Sequence, residues 1–268
     1  MAEVRTRNAA VVTALSVGLS AALTACGGGG DPDAGTNGVG KLDATTIQDK
    51  ARTAAQGADA VHLSGNVVSE GHTYRIDMRL KKDGGTGRVS ANSSTFELLR
   101  VGDELYLKAP AEFWSRGSAG KGGSGGSGAG SDLGTGAPAS AKPDGAAAAG
   151  KLVDKYVKVP SGDPAYQQLR GFTDKNLLLD GLLSLHGKLS RGEHGSVSGT
   201  RTIRVAGSGG AGGTLDVSLK GTPYPLRVQR AGNAGQLELD GWGKDFALAA
   251  PAKGDTVDYG KQLQIPGT

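Results

Sequence analysis

Apolar and polar residues alternate without a break from Tyr74 to Lys81. Tyr74, Ile76, Met78 and Leu80 therefore share one face of an extended segment, and Arg75, Asp77, Arg79 and Lys81 share the other. A strand wet on one side and apolar on the other favours an antiparallel sheet. The same period of two, at lower purity, marks VHLSGNVV from Val61, with Val61, Leu63 and Val67 on the apolar side. GRVSA, STFELLRV and DELYLKA continue the meander, with turns at Asp83-Gly84-Gly85 and Gly102-Asp103. LVDKYVKVP reads as a further extended segment, and four later strands lie in GTRTIRVAG, GGTLDVSLKG, YPLRVQRAG and GQLELDGWGKDFALAAP.

Two segments break to a helical period. Residues 42–55 place Leu42, Ile47, Ala51, Ala54 and Ala55 toward one side, and Gly57 ends the run. Further on, Thr173 or Asp174 caps a helix that carries Leu177, Leu178, Leu179, Leu182, Leu183, Leu185 and Leu189. Those leucines wrap more than one narrow stripe, so the helix should be covered on most sides or face other apolar matter. The pattern predicts an α+β fold in which a long curved antiparallel sheet wraps the leucine helix. An underfilled concave face would then leave an apolar cavity. A packed two-layer sandwich satisfies the same alternation. The inward set is Leu63, Ile76, Met78, Leu80, Leu105, Leu107, Leu178, Leu182, Leu215 and Val217, which either line such a cavity or fill a core.

The start of the chain changes where this fold would operate. Arg5 and Arg7 precede an uncharged run of fifteen residues, Ala9 to Leu23, too short for a comfortable membrane span and of the form of a secretory leader. It ends in Leu23-Thr24-Ala25-Cys26, which resembles a bacterial lipobox, whose cysteine receives a thioether-linked diacylglycerol. Cys26 has no second thiol for a disulfide or a metal site, and the readings that compete with its acylation are an ordinary signal peptide or an uncleaved anchor. Residues 1–25 read as a lipoprotein signal peptide. Residues 26–40, rich in glycine, read as a flexible tether with a span of about 20 Å.

Composition narrows the rest. The formal charge is +4, of which Glu3, Arg5 and Arg7 supply +1, and the remainder is spread too thinly for nucleic-acid binding. Residues 117–150 are a Gly/Ser/Ala/Pro segment with too little apolar surface to offset its ordering entropy, and read as a disordered insert. A literal GxSxG at Gly122 to Gly126 falls inside that insert with no strand to form a nucleophile elbow. His62 and His72 sit on or beside adjacent strands and could approach one another, but no HxxxH or HExxH spacing accompanies them. Asp77, Glu97, Asp103 and Glu104 fall on wet faces or at turns, where solvated roles outweigh acid/base pairing. The reading is non-enzymatic, with no cofactor and no metal.

The order of segments resembles a family. ARTAAQGADAVHLSGNV is similar to the helix-then-strand opening of actinobacterial lipid-carrier lipoproteins of the LppX and LprG kind, relatives of the LolA and LolB carriers. VGDELYLKAPAEFW, with Gly102, Leu105, Tyr106 and Trp114, resembles their turn, Leu-Tyr strand and following Trp. SVSGTRTIRVAG and YPLRVQRAGNAGQLELDGWGKDFALAAP, with Trp242 and Pro251, are similar to their later strand and closing hairpin. The two tryptophans would anchor a rim or a core. The resemblance implies a LolA-like half-barrel with helices over its concave face, making residues 41–268 one lipid-binding domain interrupted at 117–150. It also implies a lipid or lipoglycan ligand, a membrane transporter as a partner, and a monomer. The place would be the extracytoplasmic face of the cell membrane, through acylated Cys26. The alternative use of the same fold is a surface sensor that presents its loops to a protein partner.

Overall fold

The computed structural model describes residues 31–69, 72–91, 94–111 and 151–258. Cys26, the leader, Trp114 and the insert 117–150 lie outside them. Five strands form a first meander: β1 (Ala60–Ser69), β2 (His72–Lys81), β3 (Gly84–Ala91), β4 (Ser94–Val101) and β5 (Glu104–Lys108). After β6 (Tyr156–Val159) come the helices α2 (Pro164–Thr173) and α3 (Lys175–Leu183), α1 (Ala44–Gly57) having preceded β1. A second meander follows, of β7 (Leu189–Val197), β8 (Thr200–Gly207), β9 (Thr214–Ser218), β10 (Pro225–Gln229) and β11 (Gly235–Asp240), and the short β12 (Thr256–Asp258) closes the chain.

All twelve strands among the described residues belong to one open, curved sheet of order β12-β6-β5-β4-β3-β2-β1-β11-β10-β9-β8-β7, antiparallel except where β12 runs parallel to β6. The meanders meet at β1 and β11, so β6 and β7 lie toward opposite edges. The crossover between them, residues 160–188, carries α2 and α3. This topology places the two helices over the concave face.

Register gives each face its chemistry. One transverse row on the inner side runs Leu239, Leu63, Met78, Gly87, Leu98, Leu107 and Val157. On the outer side one row runs Arg204, Asp216, Arg227, Glu238, Ser64, Asp77, Arg88, Glu97 and Lys108 across nine strands, alternating in charge except at Ser64. Ion pairs close it at Arg204–Asp216 (2.9 Å), Arg227–Glu238 (3.2 Å) and Arg88–Glu97 (3.1 Å). A slip of one residue would bury this row and expose the leucines, so the alternation that builds the sheet also fixes its register.

Glycines allow the bend. A Cβ on Gly87 would lie against the Asp77 carbonyl oxygen and 2.6 Å from Met78 Sδ. At Gly65, where φ is +150°, a Cβ would press on the backbone of Gln236 and Leu237 in β11. Such close backbone approaches mark sharply coiled parts of a sheet.

Several expectations are corrected. Residues 33–40, expected within the tether, are bound to the sheet from Asp33 on. Asn37 Nδ2 donates to the carbonyls of Ser218 (3.0 Å) and Gly221 (2.9 Å), and its N–H to Leu219 (2.9 Å). Arg191 donates to Gly40 O at 2.8 Å and Val39 is buried. One asparagine supplies the hydrogen bonds that a glycine-rich composition does not advertise. The leucine helix ends at Leu183, where Ser184 turns extended (φ −86°, ψ 102°), before Gly187 turns the chain at φ +79° and Leu189 opens β7. Asp174 is its cap, accepting from Leu177 N at 3.1 Å, as Asp43 accepts from Thr46 N at 2.9 Å for α1.

His62 and His72 do not meet: His62 is paired with Arg79 and His72 with Ser69 at the other end of β1. The His62 imidazole instead bridges Asp240 (Nδ1, 2.9 Å) and Asp77 (Nε2, 2.9 Å) on the outer face. Burial works against its cationic form, but the two carboxylates outweigh it and the pKa is raised above 6.5. A raised folded pKa stabilises fully below the unfolded value and loses that contribution as pH climbs through the folded one. Wild type should therefore lose its stability advantage over His62→Gln on the alkaline side of 6.5. Urea unfolding of both proteins between about pH 6 and about pH 9 checks this, and a constant difference contradicts it.

Candidate functional site

The structure brings the strand members of the inward set to one surface. Leu63, Ile76, Met78, Leu80, Leu105, Leu107, Leu215 and Val217 all lie in one contiguous apolar cluster on the concave side. Leu182 joins them from α3, and Leu178 is half-buried against the same cluster. Sequence reasoning did not single out Ile203, Val205, Leu237 and Leu239, although the alternation in IRV and LEL marks their phase. Ile47, Ala51 and Ala55 of α1 complete this side.

The cover is divided. Helix α1 stands over β7 to β10 and α2 over β3 and β4, while the principal backbone neighbours of α3 are α1 and α2. Between the two covered zones lie β2, β1 and β11, whose inner residues are apolar and buried. Laid flat, twelve strands would span about 50 Å, whereas α1, α2 and α3, the longer helices among the described residues, would cover about 30 Å side by side. α3 rests as a roof on α1 and α2, with Leu179, Leu182 and Leu183 buried in the same cluster.

Two buried cations fasten that roof at its elbow. Arg100 lies in phase with Leu98 and Phe96, so it points to the concave side, and it is 4 % exposed. Its Nε donates to Thr173 Oγ1 (3.1 Å), Nη2 to Thr173 O (2.9 Å) and Nη1 to Gly102 O (2.7 Å). Two residues on, Lys175 Nζ donates to the carbonyls of Ala55 (3.3 Å) and Gln56 (2.8 Å) at the end of α1. Burial pushes the Lys175 pKa down, with Asp59 and Asp174 opposing. Each cation meets the negative end of a helix dipole. The Tyr166 hydroxyl adds a bond to Asp103 O at 2.8 Å, holding α2 to the β4–β5 turn.

At one rim Trp242 stacks on Tyr224, ring centroids 4.8 Å apart, and donates from Nε1 to Pro225 O at 3.1 Å. The expected carboxylates face outward: Asp77 meets His62, Glu97 meets Arg88, and Glu104 meets Lys158 at 2.6 Å. Lys158 and Tyr106 hold the Glu104 carboxyl below its usual range. Apolar side chains line this side, and its two buried cations are committed to backbone carbonyls and the Thr173 hydroxyl. No helix among the described residues is long and apolar enough to cross a membrane.

No family model matches the chain, and no curated protein matches it. Among solved structures, it is similar to LprF from Mycobacterium bovis, with a TM-score of 0.46 and 14% identity over 78% of this chain and 97% of that one. It is also similar to the lipoprotein LppX of Mycobacterium tuberculosis, with a TM-score of 0.43 and 13% identity over 77% of this chain and 98% of that one. The likeness concerns the course of the chain through the fold.

Proposed function

We propose that the concave face and its helical roof enclose the acyl chains of a lipid or lipoglycan, and that the protein carries this cargo within the cell envelope without altering it covalently. The observation that supports the reading is an apolar face continuous across β1–β6 and β8–β11, set among the described residues beneath short helices of 14, 10 and 9 residues, with α3 borne on α1 and α2. An acyl chain entering beneath α3 would gain about 0.8 kcal/mol per methylene removed from water. Leu63, Ile76, Met78, Leu80, Leu105, Leu107, Leu215 and Val217 would form the floor, with Leu178 and Leu182 above it. Cys26, acylated, would hold the protein to the extracytoplasmic face of the cell membrane as a monomer. A membrane transporter is the kind of partner that would load or unload it.

Binding of a fluorescent fatty acid to protein lacking the leader tests this. Wild type should bind it, and Leu182→Arg should weaken binding at least about tenfold, since a charge in the enclosed apolar space is poorly solvated. Wild type that ignores the probe, or Leu182→Arg that keeps its fold and binds equally well, contradicts the proposal.

A further inference from the structure

One buried polar side chain of α1 has an oxygen without a hydrogen-bond partner. Gln48 of α1 is 8 % exposed, and its Oε1 is fully buried with no hydrogen-bond partner. Thr202 Oγ1 and Arg227 Nε are likewise unpartnered, but their strands place them on the outer face beside Ser218 and Glu238. On the helical wheel Gln48 falls with Ala44, Ala51 and Ala55, the buried side of α1.

Its position follows from the helix pairing. Lys175 meets Ala55 and Gln56, and Asp180 meets Arg52 (3.2 Å) and Gln56 (2.7 Å), so α3 packs on the C-terminal half of α1. Gln48 lies one helical turn before Arg52 in α1. The other polar side chains on this side, Arg100, Thr173 and Lys175, are hydrogen-bonded. A buried amide oxygen with no donor is costly to keep, and a methionine of similar length would fill the same space without that cost.

We propose that Gln48 recognises a hydroxyl carried by the enclosed lipid, its Oε1 accepting the hydroxyl hydrogen. This rests on the lipid-holding reading above and narrows it to hydroxyl-bearing acyl lipids. The hydroxyl alone would be stranded in an apolar enclosure, and the amide oxygen alone is stranded now. Each satisfies the other, so the pair discriminates against a plain chain by about tenfold.

The test uses protein lacking the leader and a panel of saturated eighteen-carbon acids: plain, bearing one hydroxyl near the carboxyl, at mid-chain or near the methyl end, and the matching oxo acids. Wild type should bind one hydroxy acid about tenfold more tightly than the plain acid, while its oxo analogue, which cannot donate, gains nothing. Gln48→Met should bind the plain acid at least as well as wild type, show no preference, and melt no lower without ligand. If the plain acid binds but no hydroxyl position is preferred, or the preference survives in Gln48→Met, or the oxo acid shares it, the assignment of Gln48 is overturned. If no acid of the panel binds wild type, the lipid-holding reading itself falls and takes this inference with it.

Discussion

Gly87→Val should be among the most damaging substitutions in the sheet, lowering stability by about 3 kcal/mol. Gly87 lies at the centre of the inner row, between Met78 of β2 and Leu98 of β4. Its missing side chain is where Met78 folds over the strand, and a Cβ would also press on the Asp77 carbonyl and 2.7 Å from Met78 Cα. Those atoms are backbone, so the strands themselves would have to separate, and the loss should exceed that of an ordinary overpacked core position. Gly181→Ala in α3 is the contrasting case: an added Cβ there meets nothing within 4 Å, and relief of chain entropy should stabilise by about 0.5–1 kcal/mol. Urea unfolding of the two variants should move in opposite directions. A Gly87→Val protein within about 1 kcal/mol of wild type would remove the account of how this sheet bends.

Arg100→Met should cost about 3 kcal/mol and loosen α2 and α3 selectively. The guanidinium makes three hydrogen bonds, two of them to Thr173 at the end of α2, from a site 4 % exposed. Methionine fills much of the volume but leaves the Thr173 carbonyl without its donor. Arg100→Lys should recover only part of the loss, because one ammonium cannot span the Thr173 and Gly102 carbonyls as the planar fork does. Hydrogen exchange should quicken across residues 164–183 more than in β1 and β2. Unchanged exchange there, with unchanged stability, would show that the elbow is held by packing alone.

The floor of the site was legible because a period of two assigns a face as well as an element. Once Tyr74 to Lys81 fixed the wet side of β2, Leu63, Leu105 and Leu215 followed by the same alternation. The roof was less so. PAYQQLRGFT of α2 shows only Tyr166, Leu169 and Phe172 as large apolar residues, and its helix becomes evident with Tyr166 buried and Leu169 and Phe172 packed on the cluster. β7, LSRGEHGSV, is an edge strand exposed over seven of its nine positions, so no alternation was there to read, and pairing with β8 alone makes it a strand. β12 exists only through its parallel partner β6, about a hundred residues earlier in the chain. Leucines past Leu183 looked helical because composition continued where geometry turned extended at Ser184. Arg100 and Gln48 were missed for a different reason: a polar residue in apolar phase has meaning only when its face is known to be buried.

The most direct measurement is native mass spectrometry of the protein expressed without residues 1–26 and purified without detergent. A carrier with an apolar enclosure should arrive with lipid aboard, seen as discrete mass increments that organic extraction removes and identifies as acyl lipids. Protein that flies only at its bare chain mass, and takes up none on incubation with envelope lipids, would contradict the enclosure and with it the carrier.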